Sequence, residues 1–254
     1  MKPNGNTILV TGGGSGIGAE LARRLHDLGN SVIVAGRRQE ALERVCEGRD
    51  NLHALAFDAK DAAGIEDFAT QLLAAHPSLN VLVNNAGIMR FEDLTARRDL
   101  ADAEATIATN LTGPIRLTNA LVDHLAGQPD AAIVNVSSGL AFVPLVTTPT
   151  YNATKAAIHS YTVAMREALR GRVEVIELVP PAVQTGLTPG QETRPGYLPL
   201  DAFMDEVMAL LTQEPTPPEI LVERVAFQRR AEAEGRFDAT LKQLNEMAAK
   251  AREG

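Results

Sequence analysis

Cysteine is nearly missing from this sequence: Cys46 is the single one among 254 residues, so no internal disulfide can form. That suits a reducing compartment, and Cys46 itself reads as an inert side chain on a helix. No apolar run reaches the length of a membrane span. The opening MKPNGNTILV enters a strand with no apolar segment of signal-peptide length, so a cytoplasmic protein is expected. Basic residues are outnumbered by acidic ones, 24 to 32, and the net charge of −8 argues against general affinity for nucleic acid or anionic membranes. The five histidines show no metal-ligand spacing, and no metal is expected. There is no repeat of solenoid period, no low-complexity tract and no interdomain linker. One domain over residues 1–254 is the expectation, long enough to bury a sizeable core.

What is present alternates between strands and helices. Residues 6–11 (NTILVT) form a short apolar strand that breaks into GGGSGIG. A helix follows, with Ile17, Leu21, Leu25 and Leu28 on one stripe and Gly29 as its stop. SVIVAG is a second strand, ending in Gly36-Arg37-Arg38. Strand, glycine-rich turn, helix and strand is the context in which backbone N–H groups approach a pyrophosphate at a helix N-terminus. The alternation continues with a strand at 51–57 ending at Asp58, a helix at 62–75, and a strand at 80–83 running into Asn84-Asn85-Ala86-Gly87. A long helical region at 93–126 is expected to bend near Asn110, Gly113 and Pro114. A strand at 131–137, a helix at 151–170 and a strand at 172–179 complete the series. Repeated βα units predict an α/β fold, a doubly wound parallel sheet of six to seven strands with helices on both faces. Beyond Thr185 the pattern changes. Residues 186–199 read as a Pro/Gly-rich loop, and 186–215 as a lid over a substrate site. The stripe Leu200, Phe203, Met204, Val207, Met208 and Leu211 reads as core packing. A short last strand at 219–222 leads into a charged helical tail at 223–254, punctuated by Gly235. The tail's charges read as a solvated face, and its Leu241 and Leu244 could dock on the body or on a partner subunit.

Tyr151 and Lys155 stand four apart at a helix start and share a face. A tyrosine titrates near pH 10, and a fixed ammonium about 4 Å away, at an effective dielectric of about 20, is worth roughly 4 kcal/mol. The phenol is thus expected to fall toward neutrality, where it can give or take a proton. Ser138 lies upstream, where a strand's carboxyl end opens onto a cleft.

Thr11-Gly12-x-x-x-Gly16-x-Gly18, Asn84-Asn85-Ala86-Gly87, Asn110, Ser138 and Tyr151-x-x-x-Lys155 stand in the order and spacing of the short-chain dehydrogenase/reductase family, which residues 6–185 resemble. The stretches PPAVQTGLTPGQ and EILVERVAFQRRAEAEGRFD are similar to its DltE-type branch. The resemblance implies a single-domain Rossmann fold and an NAD(P)-dependent oxidoreductase that interconverts a small-molecule carbonyl and an alcohol. It also implies a homodimer or homotetramer, paired through the helices after the fourth and fifth strands. By the same resemblance Gly12, Ser15, Gly16, Ile17 and Gly18 hold the cofactor pyrophosphate. Asp58, with Ala59 beside it, meets the adenine, and Asn85, Ala86 and Gly87 lie along the cofactor. Tyr151 is implied as general acid in reduction and base in oxidation. Lys155 is implied as the ribose ligand that depresses the phenol, and Ser138 as the group that bonds the substrate oxygen. Asn110 is implied to hold a helix bend and a relay water. Val183 and Thr185 are placed at the carboxamide, while Pro181 stands where the family usually has glycine and stiffens that turn.

Cofactor choice rests on the end of the second strand. An NAD site places an acidic residue there, whereas Arg37 and Arg38 suit a 2′-phosphate, so NADP is favoured with NAD left possible. The alternative is a solvated arginine pair at a helix start. The substrate pocket is expected from 88–94, 139–150 and 186–199. Leu140, Phe142, Val143, Leu145 and Val146 hint at a hydrophobic ketone or aldehyde, unless they pack on the core or a partner. A catalytically idle dinucleotide sensor or scaffold is the alternative function. Ser138 and Tyr151, which a sensor does not need, argue for the enzyme. A serine hydrolase fails, because Ser138 lies in VSSGL and not in a Gly-x-Ser-x-Gly elbow.

Overall fold

Runs of Val, Ile and Leu bounded by turns become seven strands: β1 (Thr7–Thr11), β2 (Ser31–Gly36), β3 (Leu52–Ala56), β4 (Leu79–Asn84), β5 (Ala132–Val136), β6 (Glu174–Val179) and β7 (Glu219–Leu221). The computed structural model describes residues 1–253, with side chains as far as Lys250. The strands form one sheet in the order β3-β2-β1-β4-β5-β6-β7. Every pairing is parallel. Because side chains alternate across a strand, Ile8, Val10, Val32 and Val34 enter the core on one face while Leu9 and Ile33 enter the other. The first face is covered by α1 (Gly16–Asp27), α2 (Gln39–Cys46) and α7 (Leu200–Leu211). The second is covered by α3 (Ala62–Ala75), α5 (Gly113–Ala126) and α6 (Pro149–Ala168). Burial on both faces is what lets the strands be apolar throughout. Phe203, Met204, Val207 and Leu211 are fully buried on α7, as core packing requires.

Three expectations need correction. The helix expected from residue 93 begins at Ala101, as α4 (Ala101–Ile107), and passes through one π-helical turn, Ala108–Thr112, into α5. Residues 88–100 stay irregular, with a turn at 94–96, because the Glu92 carboxylate is engaged elsewhere, by Thr150 at the start of α6. Leu28, expected on the buried stripe of α1, is 40% exposed, since the helix ends at Asp27 before that turn can pack. The tail forms α8 (Ala226–Arg229) and α9 (Phe237–Glu253), and it is not simply solvated. Asn245 of α9 accepts from Val146 N at 2.8 Å and donates to the Pro144 carbonyl at 3.1 Å. Leu241 and Leu244 are only partly covered. Among the described residues no helix is long and apolar enough to cross a membrane.

Candidate active site

The order of strands reverses at β1 and β4, and a cleft opens at their carboxyl ends, the usual ligand position of such sheets. Its volume is about 430 Å³. Gly12, Ser15, Gly16, Ile17, Gly18, Arg37, Arg38, Asp58, Ala59, Asn85, Ala86, Gly87, Ser138, Tyr151, Lys155, Pro181, Val183 and Thr185 all line it. Asn110 does not: it lies behind the wall, buried in the π-helical turn.

The turn after β1 is a close backbone crossing. At Gly12, which has φ +66°, an added Cβ would stand 2.8 Å from the Cα of Ala86. At Gly18 it would stand 2.5 Å from the Gly12 carbonyl oxygen. The Asn85 side chain braces this crossing, with Nδ2 donating to the Thr11 carbonyl at 2.9 Å, so its backbone and not its amide is presented to the cleft. Ser15 makes no side-chain cap bond at the start of α1, and the first turn carries no acidic residue. These first-turn amides and the helix dipole suit an anion. Arg37 and Arg38 are exposed at the β2 end of the cleft and have no ion pair among the described residues. An uncapped helix start and two unpaired guanidiniums fit a phosphorylated dinucleotide.

At the other end lie Ser138, Tyr151 and Lys155, each less than a tenth exposed. Lys155 Nζ donates to the Val136 carbonyl at 2.8 Å and sits 5.6 Å from the centre of the Tyr151 ring. Burial pushes the Tyr151 phenol up to about 12, opposed only by a hydrogen bond with Ser138. Burial also lowers Lys155 to about 8, against the attraction of Glu177. The expected fall of the phenol toward neutrality is therefore corrected. Desolvation of the phenolate dominates, and the ammonium is held by a main-chain carbonyl. Asn110 grips the neighbouring segment at both ends of its amide. Its Oδ1 accepts from Ile88 N at 2.9 Å and its Nδ2 donates to the Ile88 carbonyl at 2.8 Å. A buried chain from Asn84 through Asn135 to Thr162 ties β4 and β5 to α6, and so fixes the helix that carries Tyr151.

The pocket walls differ from expectation. Val143 and Leu145 are buried, Phe142 packs beneath the Arg229 guanidinium and Val146 is exposed, and none of the five apolar residues of this loop lines the cleft. Ile88, Arg90, Gly186, Leu187 and Gln191, from the other two expected stretches, do line the cleft. Arg90 and Gln191 fall inside the expected stretches 88–94 and 186–199, although nothing in the sequence singles out either residue. The buried Gln191 donates to the Val183 carbonyl at 2.8 Å and accepts from Thr188 at 2.8 Å, which closes the turn after Pro181. Away from the cleft, His159, Glu177 and Glu219 bring three ligand-type atoms within 4.8 Å of one another. Arg229 forks onto Glu219 at 2.8 and 2.9 Å, so a guanidinium already supplies the positive charge there and anchors α8 to β7.

This sheet and cleft define a dinucleotide-dependent oxidoreductase: the chain belongs to the short chain dehydrogenase family, whose model matches residues 6–195. It is similar to the uncharacterized oxidoreductase DltE of Bacillus subtilis (strain 168), at 44% identity over 77% of this chain and 79% of that one. It is also 32% identical to the NADP-dependent 3-hydroxy acid dehydrogenase YdfG of Shigella flexneri, over 73% of each chain. Among solved structures, a short chain dehydrogenase from Burkholderia cenocepacia J2315 in complex with NADP superposes with a TM-score of 0.80. The identity is 25%, covering 95% of this chain and 99% of that one.

Proposed function

We propose that the protein is an NADP-dependent oxidoreductase that interconverts a ketone or aldehyde and its alcohol, with Tyr151 as the proton donor and acceptor. The observation that carries this reading is one cleft holding buried Ser138, Tyr151 and Lys155 at one end and unpaired Arg37 and Arg38 at the other. When bound, the nicotinamide supplies or accepts the hydride. The first turn of α1 and the Gly12 crossing would hold the pyrophosphate, and Arg37 and Arg38 the 2′-phosphate, to which a planar guanidinium is suited. The NADP named for YdfG and for the Burkholderia structure supports the same choice.

Ser138 would donate a hydrogen bond to the substrate oxygen as charge develops on it. Tyr151 would give its proton to that oxygen in reduction and take it back in oxidation. Its raised pKa of about 12 keeps the phenol protonated across neutral pH, the state needed for proton donation in reduction. Lys155, at about 8, still carries its proton at neutral pH and would face the ribose. Asn110 would hold the bend and keep Ile88 beside the reacting end. Copies would pair through the helices after β4 and β5, where Ile107 and Val163 are 42% and 46% exposed, and light scattering reads that directly.

The test is NADPH consumption against a panel of aldehydes and ketones, with NADH and Tyr151→Phe run alongside. Turnover that prefers NADPH and falls about 1,000-fold in the variant is the expected result. A preference for NADH removes the role given to Arg37. Tight NADPH binding without turnover of any carbonyl favours a sensor.

A further inference from the structure

We infer that the substrate carries an anionic group, a carboxylate or similar oxyanion, and that Arg90 is the residue that anchors it. This rests on the carbonyl–alcohol reading above and names the substrate class for the same cleft.

Arg90 lies at the centre of a short segment held at both ends. Two residues before it, Ile88 is clamped through both backbone atoms by Asn110. Two residues after it, Glu92 has a 5% exposed side chain that accepts from Thr150 N at 3.1 Å, Thr150 Oγ1 at 2.8 Å and Arg98 at 2.9 Å. The Glu92 backbone N–H donates to the Thr147 carbonyl at 2.9 Å. Thr150 immediately precedes Tyr151, so the segment that carries Arg90 runs from the π-helical turn to the start of α6. Arg90 lines the cleft together with Ser138 and Tyr151.

The guanidinium is poorly satisfied where it stands. Its Nε is 3.5 Å from Asp102, whose side chain is 66% exposed, and its Nη1 reaches only the Met89 carbonyl at 3.3 Å. Nη2 has no partner among the described residues. A long pair with an exposed carboxylate leaves the fork free to turn. Among the described residues Asp58 is the only acidic one lining the cleft, and it sits at the β3 end. Lining the cleft beside Ser138 and Tyr151 are thus two cations, Arg90, in a long pair with the exposed Asp102, and Lys155. Lys155 is already committed to the Val136 carbonyl. A guanidinium recognises a carboxylate through two parallel hydrogen bonds, a contact that a neutral ketone cannot make. Val143 and Leu145 are buried in the body, so they are not available to hold a neutral substrate in its place.

The experiment compares matched pairs, 4-oxobutanoate with methyl 4-oxobutanoate and acetoacetate with methyl acetoacetate, in the wild type and in Arg90→Gln and Arg90→Lys. Wild-type kcat/KM is expected to favour each acid over its ester by roughly 30-fold or more, the worth of a charge-assisted bidentate contact. Arg90→Gln is expected to erase that ratio, mostly through KM, and Arg90→Lys to restore part of it. The Kd for NADPH is expected to stay within about threefold. Esters turned over as well as acids in the wild type would overturn the inference and leave the carbonyl–alcohol reading intact. Equal losses for acid and ester in Arg90→Gln, or a matching loss of NADPH affinity, would overturn it as well. If neither these pairs nor any carbonyl of the panel is turned over, the carbonyl–alcohol reading fails. Wherever no pair is turned over, the inference is read from calorimetric binding of 4-oxobutanoate and its ester to the NADP⁺-loaded protein, where equal affinities refute it and an Arg90-dependent preference for the acid upholds it.

Discussion

At the β1–β2 end of the cleft the walls are main chain; at the Tyr151 end they are side chains held from a distance. Gly12 and Gly18 leave no room for even a methyl group, and the amides of α1 face the space directly. Around Tyr151 the walls are tied by Asn110 on Ile88, Glu92 on Thr150 and Gln191 on Val183, while Asn245 reaches Pro144 from near the far end of the chain. A wall of backbone is local in sequence and tolerates little change. A wall of side chains draws on distant residues, so it can alter what is bound without altering the sheet. The first arrangement suits a fixed cofactor, and the second suits a substrate that differs between relatives.

That contrast can be broken or sharpened by experiment. The largest effect is expected at Lys155. Lys155→Met should lower kcat/KM by about 100- to 1,000-fold, read by NADPH oxidation. The same variant tests the charge through pH. The folded value of about 8 lies below the ordinary lysine value of about 10.4. Between those limits the unfolded chain binds more protons, so wild-type stability should rise as pH climbs from 8 toward 10, and the variant should lose that rise. Above that range Tyr151 opposes it, because its phenol titrates first in the unfolded chain. Next in size, Gly18→Ala should cost about 2–3 kcal/mol in urea unfolding and weaken NADPH binding, as the new methyl meets the Gly12 carbonyl. Arg37→Ala should then cut the preference for NADPH over NADH about 10- to 100-fold in the ratio of kcat/KM, with little change in kcat. The smallest effect is expected at the loop after Ser138, which lies outside the cleft lining. Asn245→Ala should remove two contacts to the loop, cost about 1 kcal/mol, and speed amide exchange at Val146 while leaving NADPH affinity alone.

The sheet was legible because parallel strands buried on both faces are written as continuous Val and Ile runs, and all seven strands fall within two residues of where the sequence places them. The cofactor end was legible for a related reason: a backbone crossing such as Gly12 over Ala86 admits only glycine, so spacing alone announces it. The substrate end was not. Glu92 bonds Thr150 across 58 residues and Asn245 bonds Pro144 across 101, separations that no local pattern records. The apolar stretch at 140–146 was read correctly as apolar, but a sequence does not say which side of a loop faces the body. The phenol's pKa went the other way for a similar reason. Spacing put an ammonium on the same face of a helix, yet burial and the Val136 carbonyl, both tertiary features, decide the outcome.

The most direct test of this division is to measure NADPH affinity and turnover on the same preparation of Tyr151→Phe. The account predicts a Kd within about threefold of wild type and a kcat lower by about 1,000-fold, because the phenol acts on the substrate and not on the cofactor's anchorage. Affinity that falls in step with turnover, or turnover that survives the loss of the hydroxyl, would contradict it.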